Sequence, residues 1–263
     1  LFRSVDALHN YQYVEVINNS RFLKTIKAID KTTGNLVIIK LLIKPASPNY
    51  SIQLQQVIEL MVKQSSLLYP FKNALPWHRL IETDRAGYVV RQMIKTNLYD
   101  RLSIRPFLEP IEKLFITYQI LKIINEIHSL NIHHGDLKLE NFLITSWNWL
   151  LLSDFSNLLK PTYIPEDNPN QYSFYFDTSG RRLCYIAPER FYNSQDHPKH
   201  ILNFNDDGLF TMKNSVTDAM DLFSTGCVIA ELYNDGEPTF TLSQLFKFMK
   251  NEYTPDLSGI YNK

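Results

Sequence analysis

The most constraining feature of the sequence is the run Ile132–Asn141, in which charged and amide side chains stand at fixed offsets. Asp136, Lys138 and Asn141 lie close together in this run, and a second carboxylate, Asp154, follows thirteen residues after Asn141. An apolar helical pattern precedes the run, and two short apolar runs separated by a polar turn follow it. The chain must therefore fold so that two acids, a lysine and an amide lie where a helix gives way to a hairpin.

These four side chains match the protein groups that phosphoryl transfer requires. The reaction needs a carboxylate near the attacking hydroxyl, a cation on the phosphates and oxygen ligands for Mg²⁺. We expect Asp136 to orient or deprotonate a hydroxyl and Lys138 to neutralise phosphate charge. Asn141 and Asp154 are the expected metal ligands. The alternative is a polar turn that carries no chemistry.

Composition excludes several classes of protein. The 263 residues suffice for one large domain or two lobes. Basic and acidic residues number 27 each, so charge gives no reason to expect nucleic acid as a partner. The two cysteines, Cys184 and Cys227, suit a reducing compartment and provide no metal-ligand cluster. No apolar run reaches membrane-spanning length, and Leu1–Ser4 does not begin a secretory signal.

Strand patterns dominate the first part of the chain. β-Branched and aromatic runs predict strands over residues 11–17, 22–29, 36–43, 78–83 and 87–94. A helix is predicted over residues 50–64. Lys40 lies inside an apolar run and should face an anion, because a buried lysine without a partner is costly; a solubilising lysine on an edge strand is the alternative. Glu59 is its expected partner, although many glutamates on helix surfaces are simply solvated.

Helical patterns dominate the second part. The longest helix is predicted over residues 110–130, with an apolar face made of Ile111, Leu114, Phe115, Tyr118, Leu121, Ile124 and Ile127. Short strands are predicted at 142–145 and 150–153, and further helices at 218–234 and about 242–250. Prolines 161, 165 and 169 disfavour regular structure between Asp154 and Glu189. The polar residues 193–216 are predicted to form a surface insertion.

This order of elements, with the spaced polar residues, resembles the bilobal protein-kinase fold. The resemblance extends from Tyr11 to about Lys250 and implies an α+β architecture. Residues 1–95 would form a small, nucleotide-binding antiparallel β lobe. Residues 96–263 would form a mainly helical lobe, expected to be incomplete in this chain. The catalytic loop would comprise residues 133–141, and the activation segment residues 154–189.

The resemblance also implies roles for individual residues. Those implied for nucleotide binding are Lys40, Glu59, Asn18, Ser20 and Asn141; those for catalysis are Asp136 and Lys138; and those for the metal are Asn141 and Asp154. Asp221 resembles the helical aspartate that braces the catalytic loop from below, and Glu189 resembles the end of the activation segment. Both are implied to be structural. The implied cofactor is Mg²⁺ with ATP, and GTP stays open.

The loop over the phosphates departs from the kinase pattern. Kinases use the form G-x-G-x-x-G, whose bare backbone approaches the nucleotide closely. The matching turn here is residues 17–22, and Gly34 is the first glycine of the chain. Side chains are expected to crowd the phosphates, although Asn18 and Ser20 can still donate hydrogen bonds.

Three further positions depart from the same pattern. Gly135 replaces the arginine that usually precedes the catalytic aspartate, which removes the cation on which a phosphorylated activation segment docks. Ser156 replaces the glycine after Asp154-Phe155 and restricts the backbone there. Arg91 falls at the gatekeeper position, where an apolar residue is usual. These changes favour slow or absent turnover.

Several stretches are similar to a narrower family, the regulatory, kinase-like subunit of the class III phosphatidylinositol 3-kinase complex in vacuolar protein sorting. They comprise residues 97–108, 145–149, 163–169, 174–179 and 181–191. The family implies a longer protein with a lipidated N-terminus outside this chain. It also implies a lipid-kinase catalytic subunit and beclin-like subunits as partners. The implied location is cytoplasmic, peripheral on endosomal, vacuolar, Golgi and autophagic membranes.

Two functions follow from these patterns. The first is a nucleotide-binding regulatory scaffold of the lipid-kinase complex, acting in endosomal and vacuolar sorting and autophagy, with weak or absent phosphotransfer. The second is an active Ser/Thr protein kinase that transfers the γ-phosphate to protein hydroxyls with Asp136 as base. A lipid kinase is disfavoured, because the catalytic spacing is of the protein-kinase kind.

Aromatic residues of the segment 154–189 either form a contact surface or pack against their own lobe: Tyr163, Tyr172, Phe174, Tyr175 and Phe176.

Overall fold

A computed structural model of the chain describes residues 8–19, 23–43, 48–83, 86–155, 157–177, 180–193 and 215–261. The chain divides into two compact units, Leu1–Tyr69 with Leu75–Met93 and Pro70–Ala74 with Ile94–Lys263. Ser20, Ser156 and residues 194–214, which make up most of the predicted insertion, lie outside the described residues. The described helices include none that is long and apolar enough to cross a membrane.

The first unit is built on an antiparallel sheet with the strand order β1-β2-β3-β6-β5. In chain order its elements are β1 (Tyr11–Asn19), β2 (Lys24–Asp30), β3 (Leu36–Ile43), α1 (Pro48–Leu68), β4 (Ala74–Leu75, at the boundary of the units), β5 (Arg79–Glu82) and β6 (Ala86–Gln92). The helix α1 is longer than predicted. Ile39 on β3 pairs with Val90 on β6, and both are fully buried in the core of this unit.

The second unit is mainly helical. Its elements are β7 (Thr96–Asn97), α2 (Leu98–Ser103), α3 (Pro110–His128), β8 (Phe142–Ile144), β9 (Leu150–Ser153), β10 (Ile164–Pro165), α4 (Pro169–Tyr175), β11 (Phe191–Tyr192), α5 (Asp218–Tyr233), α6 (Leu242–Met249) and α7 (Ser258–Tyr261). Helix α3 packs against α5 and β9. A β-rich first unit and a helical second unit confirm the predicted α+β fold class.

Helix α3 begins where the sequence indicates, but its buried side was predicted wrongly. Pro110 occupies the first turn, and the Glu112 carboxylate accepts the Glu109 N–H at 2.8 Å. The buried apolar residues are Ile116, Ile120, Ile123, Ile124 and Ile127. The exposed ones are Ile111, Leu114, Phe115, Tyr118 and Leu121. Apolar residues surround most of this helix, so their spacing alone did not select the side that packs.

The segment after β9 contains regular structure, contrary to the prediction from its prolines. Pro169 lies in the first turn of α4, where a missing N–H costs nothing. Tyr172 and Phe176 are buried with their rings stacked 6.0 Å apart, and Tyr172 also packs on Phe191. These two candidate contact residues therefore pack against their own unit. The other three aromatic candidates of this segment are half-buried.

Candidate active site

Asp221 holds the backbone of the loop that follows α3. It lies in the first turn of α5 and is 1% exposed. Its carboxylate accepts the N–H groups of His134 at 2.6 Å and Gly135 at 2.9 Å, and it lies 3.3 Å from Nε2 of His128. Burial raises the pKa of Asp221, but these hydrogen bonds and the neighbouring histidines outweigh burial and lower the pKa. A charged carboxylate thus fixes two successive peptide groups of the loop.

His134 connects this loop to β9. Its ring is fully buried, and Nε2 lies 2.9 Å from the carbonyl oxygen of Ser153. Because a carbonyl only accepts, Nε2 carries the proton, and Nδ1 accepts the N–H of Asp136 at 3.2 Å. Burial lowers the pKa of His134, which agrees with a neutral ring. The ring also packs on Phe155, with 5.0 Å between centroids. His134 therefore positions the backbone of Asp136.

Two lysines surround the carboxylate of Asp136. Lys160 Nζ lies 2.6 Å from Oδ2, and Lys138 Nζ lies 3.3 Å from the same oxygen. Asn141 Nδ2 donates to the Asp136 carbonyl at 2.7 Å. Burial raises the pKa of Asp136, but the two lysines outweigh burial and lower the pKa to about 2. The carboxylate is therefore ionised, and one of its oxygens is already bound by two ammonium groups.

Sequence reasoning missed Lys160. It lies in the segment after β9, with its side chain 7% exposed and its ammonium 5.0 Å from the centroid of the Phe176 ring. The available signal was a lysine between Leu159 and Pro161, where an apolar setting requires an acidic partner. That signal does not identify the acid, because Asp136 lies 24 residues away in the chain.

Asn141 and Asp154 lie at one end of the β8–β9 hairpin. Asn141 directly precedes β8, Asp154 directly follows β9, and the Ser153 hydroxyl donates to the Asn141 carbonyl at 3.0 Å. Asp154 has φ +64, a left-handed conformation that is uncommon for residues other than glycine, although aspartate adopts it more often than most. Since Nδ2 of Asn141 is engaged as a donor, its Oδ1 remains as a ligand atom. An amide oxygen and a carboxylate are the ligands that Mg²⁺ prefers, so these residues fit the implied cofactor.

In the first unit, the sheet register places Lys40 and Arg91 on one face. Lys40 pairs with Val89 and Arg91 with Ile38, and side chains two residues apart share a face. Both cations approach Trp77: Lys40 Nζ lies 5.6 Å and Arg91 Cζ 5.9 Å from its ring centroid. Arg91 is 6% exposed. This face of the sheet therefore carries two positive charges, which suits an anionic ligand.

Three more residues, Glu59, Asn18 and Ser20, were predicted to bind the nucleotide. Glu59 lies on α1 with an exposed side chain, and its pairing with Lys40 stays a prediction. Asn18 lies near the end of β1, opposite Thr25 of β2, which is the hairpin where kinases carry their glycine-rich loop. Ser20 falls outside the described residues.

The family model of the protein kinase domain matches residues 11–257. The chain belongs to the protein kinase family. It is 49% identical over 253 residues to "Serine/threonine-protein kinase VPS15" of Saccharomyces cerevisiae. It is 46% identical over 252 residues to "Probable serine/threonine-protein kinase vps15" of Dictyostelium discoideum, and 41% identical over 256 residues to the Arabidopsis thaliana VPS15.

These alignments confirm the predicted resemblance to the kinase-like proteins of vacuolar protein sorting, and they show how much of each protein is similar. They cover 94–96% of this chain but only 12–16% of the three relatives. The chain therefore spans about one sixth or less of the length of the curated relatives that it matches. Its similarity identifies a kinase domain of the VPS15 kind.

In this kinase domain, glycine occupies the position before Asp136 for a steric reason. Gly135 has φ +78, and an added Cβ would lie 3.3 Å from the Asn157 Cα and 3.3 Å from the Val216 Cγ2. A side chain at this position would meet backbone on one side and a buried valine on the other. A side chain such as the arginine of other kinases would therefore crowd both neighbours here and would also strain a backbone with positive φ.

A different arginine binds the catalytic loop of this kinase domain. Arg190 is 2% exposed; its Nη1 donates to the Gly135 carbonyl at 2.7 Å and its Nε to the Thr162 carbonyl at 2.7 Å. Glu189, the predicted structural residue beside it, is exposed. Sequence reasoning selected the glutamate of Ala-Pro-Glu and missed the buried cation that follows it.

Proposed function

We propose that this chain is the nucleotide-binding regulatory domain of a class III phosphatidylinositol 3-kinase complex and that it transfers phosphate weakly or not at all. Similarity to proteins named VPS15 supports the place in that complex. The ion pair between Lys160 and Asp136 supports weak transfer. The proposal includes a lipid-kinase subunit and beclin-like subunits as partners and a peripheral location on endosomal, vacuolar, Golgi and autophagic membranes, where the complex serves sorting and autophagy.

The surroundings of Asp136 disfavour its action as a general base. A general base works best when its pKa lies near the operating pH and when it reaches the proton that it removes. The pKa of Asp136 is about 2, and Lys160 lies 2.6 Å from its Oδ2. A substrate hydroxyl must therefore compete with a buried ion pair. No glycine precedes Gly34 in the sequence, so side chains of the loop over the phosphates would crowd them and slow transfer further.

Nucleotide binding is supported by two oxygen ligands for Mg²⁺ and by two positively charged side chains that this chain carries. Bound Mg²⁺ bridges phosphate oxygens and neutralises their charge. Asn141 and Asp154 are the residues that would hold this ion. Lys40 and Arg91 give one face of the first unit's sheet a positive charge that suits an anion. A domain with these groups can bind a nucleotide as a structural ligand without turning it over.

An active Ser/Thr protein kinase is the second candidate. Lys138 lies 3.3 Å from Asp136, the arrangement that a transfer step to a hydroxyl uses. The relatives named above also carry serine/threonine-protein kinase in their names. In this alternative, Lys160 leaves Asp136 when a substrate binds.

Nucleotide binding and phosphate transfer, measured separately, distinguish the candidates. Binding of fluorescent ATP and GTP analogues with and without Mg²⁺ is compared in the wild type, Asp154→Ala and the exposed control Glu252→Gln. Transfer of radiolabelled γ-phosphate to protein is compared in the wild type, Asp136→Asn and Lys160→Met.

The regulatory proposal expects Mg²⁺-dependent binding that Asp154→Ala loses and Glu252→Gln keeps, with no transfer above that of Asp136→Asn. Transfer by the wild type that Asp136→Asn abolishes would favour the active kinase. A wild type that binds neither nucleotide would refute both candidates.

A further inference from the structure

Three side chains outside the catalytic residues converge on one point of the second unit. They are His128, the last residue of α3; His133, the first residue of the predicted catalytic loop; and Asp218, the first residue of α5. His133 Nε2 lies 2.7 Å and His128 Nδ1 3.6 Å from Oδ1 of Asp218. One ligand atom from each residue lies within 4.8 Å of the other two. Among the described residues, no other group of three histidine, cysteine or acidic side chains has this property.

These distances suit a shared cation. Ligand atoms of a tetrahedral zinc ion are about 3.3 Å apart, given bonds of about 2.0–2.1 Å. The two histidines are separated by four residues, as in the H-x₃₋₅-H half of many zinc sites. The ligand atoms of the three residues lie within 4.8 Å of one another, so side-chain rotations would have to bring them to about 3.3 Å around one ion. The observed pair of His133 and Asp218 is the hydrogen bond that such residues make without a metal.

Asp221 orients His128 toward this point. His128 Nε2 lies 3.3 Å from Oδ2 of Asp221, so the proton of a neutral ring is held at Nε2. The lone pair of Nδ1 then faces Asp218. A carboxylate that binds the far nitrogen of a ligating histidine is the usual outer support of a zinc site, since it fixes the tautomer and the ring orientation. The carboxylates of Asp218 and Asp221 also supply negative charge that attracts a cation.

The exposure of the Asp218 side chain lets a metal ion reach these three residues from solvent. The side chain of Asp218 is 61% exposed, whereas those of His128 and His133 are 11% and 15% exposed. An ion can thus reach the ligands from solvent, and water can complete its coordination. Two nitrogens and one oxygen favour Zn²⁺ and other divalent transition metals over Mg²⁺ or Ca²⁺, which prefer all-oxygen sites.

We propose that His128, His133 and Asp218 bind one divalent transition-metal ion, by preference Zn²⁺, at the surface beneath the catalytic loop. The ion would tie the end of α3 and the first residue of the catalytic loop to the start of α5. His128 and Asp221 link it to the loop, because Asp221 accepts the N–H groups of His134 and Gly135. This inference does not depend on the regulatory role proposed above.

Metal binding is tested on the untagged chain after dialysis against a chelator. Co²⁺ is titrated in and followed by its visible absorption, which reports nitrogen ligation, and Zn²⁺ is then used to displace it. The variants are Asp218→Asn and His133→Gln, which keep hydrogen-bonding groups of similar size. The matched control is His78→Gln, since His78 is an exposed histidine of the first unit.

The proposal expects one equivalent of Co²⁺ with an absorption band that Zn²⁺ removes and excess Mg²⁺ does not. Asp218→Asn and His133→Gln should weaken binding at least tenfold, and His78→Gln should not. Circular dichroism establishes that each variant is folded. Zn²⁺ should also raise the unfolding midpoint of the wild type but not that of Asp218→Asn. No saturable binding, or equal binding by the wild type and both site variants, would overturn the proposal.

Discussion

The ammonium group of Lys160 lies 2.6 Å from Oδ2 of Asp136, and both side chains are almost withdrawn from water, at 7% and 10% exposure. Lys138 approaches the same oxygen at 3.3 Å. A carboxylate in such surroundings stays ionised only because cations compensate for its lost hydration. Asp136 and Lys160 therefore form one buried ion pair, and removal of the lysine should shift the pKa of the aspartate.

Removal of Lys160 should raise the pKa of Asp136. In Lys160→Met, burial continues to favour the neutral acid while one of the two nearby cations is gone. We expect the pKa to rise from about 2 by about one unit or more, as measured by NMR titration of the carboxyl carbon. The matched control is Lys122→Met, which removes a lysine paired with Glu126 at 3.2 Å on the surface of α3. An unchanged Asp136 titration in Lys160→Met would contradict the ion pair.

The same pair predicts how acid destabilises the domain. The pKa of Asp136 is about 2 in the folded chain, against an ordinary value of 3.8. Because the folded pKa is the lower one, this stabilisation is present above pH 3.8 and is lost as the pH falls toward 2. Between about pH 5 and pH 3 the wild type should lose about 1 kcal/mol more stability than Asp136→Asn. Urea unfolding of both proteins at the two pH values tests this, and parallel losses would contradict it.

Local spacing explains which parts of this site were predictable. Asp136, Lys138 and Asn141 lie on one short loop, so their types and offsets indicate their proximity before any fold is known. The contacts made by Lys160 and Arg190 join residues 24 and 55 positions apart. Such pairs depend on how the segment after β9 folds back on the loop. No local pattern in the sequence indicates how this segment folds back, so Lys160 and Arg190 were not predicted.

The buried carboxylate of Asp221 should be essential for stability. Asp221→Asn replaces one acceptor oxygen by an amide donor, which then faces a backbone N–H of His134 or Gly135. We expect a loss of about 2–4 kcal/mol in the free energy of unfolding. Asp218→Asn is the matched control, because it makes the same change one turn earlier on the same helix at a side chain that is 61% exposed. Guanidinium unfolding measures both, and equal losses would contradict the buried role of Asp221.

Gly135 should tolerate a side chain less well than another glycine of similar backbone conformation. Gly34 has φ +74 with no atom within 4 Å of an added Cβ, whereas Gly135 has φ +78 and contacts at 3.3 Å. Gly34→Ala should therefore cost about 1 kcal/mol from the backbone alone. Gly135→Ala should cost about 1–3 kcal/mol more, because the added methyl group overpacks a buried site. The difference in unfolding free energy between the two variants tests the crowding at Gly135.

The position of α3 was predictable, but its orientation was not. Pro110 and the apolar pattern mark the helix within a few residues of its observed bounds, because these signals are local. Five of the seven residues assigned to its apolar face are nevertheless exposed, as the fold shows. Which side is buried depends on α5 and β9, the neighbours of α3 in the fold. When a helix is apolar on most sides, its sequence alone does not indicate which side is buried.

Two adjacent isoleucine and leucine positions on α3 test that orientation directly. Ile120 is fully buried, whereas Leu121, which the sequence pattern placed on the apolar face, is 49% exposed. Ile120→Ala leaves a cavity in the core and should cost about 2–5 kcal/mol. Leu121→Ala removes a side chain that is half in water already and should cost less than about 1 kcal/mol. Both changes have nearly the same effect on helix propensity, so urea unfolding of the two variants isolates burial. Equal losses would mean that the outer face of α3 is packed as tightly as the inner one.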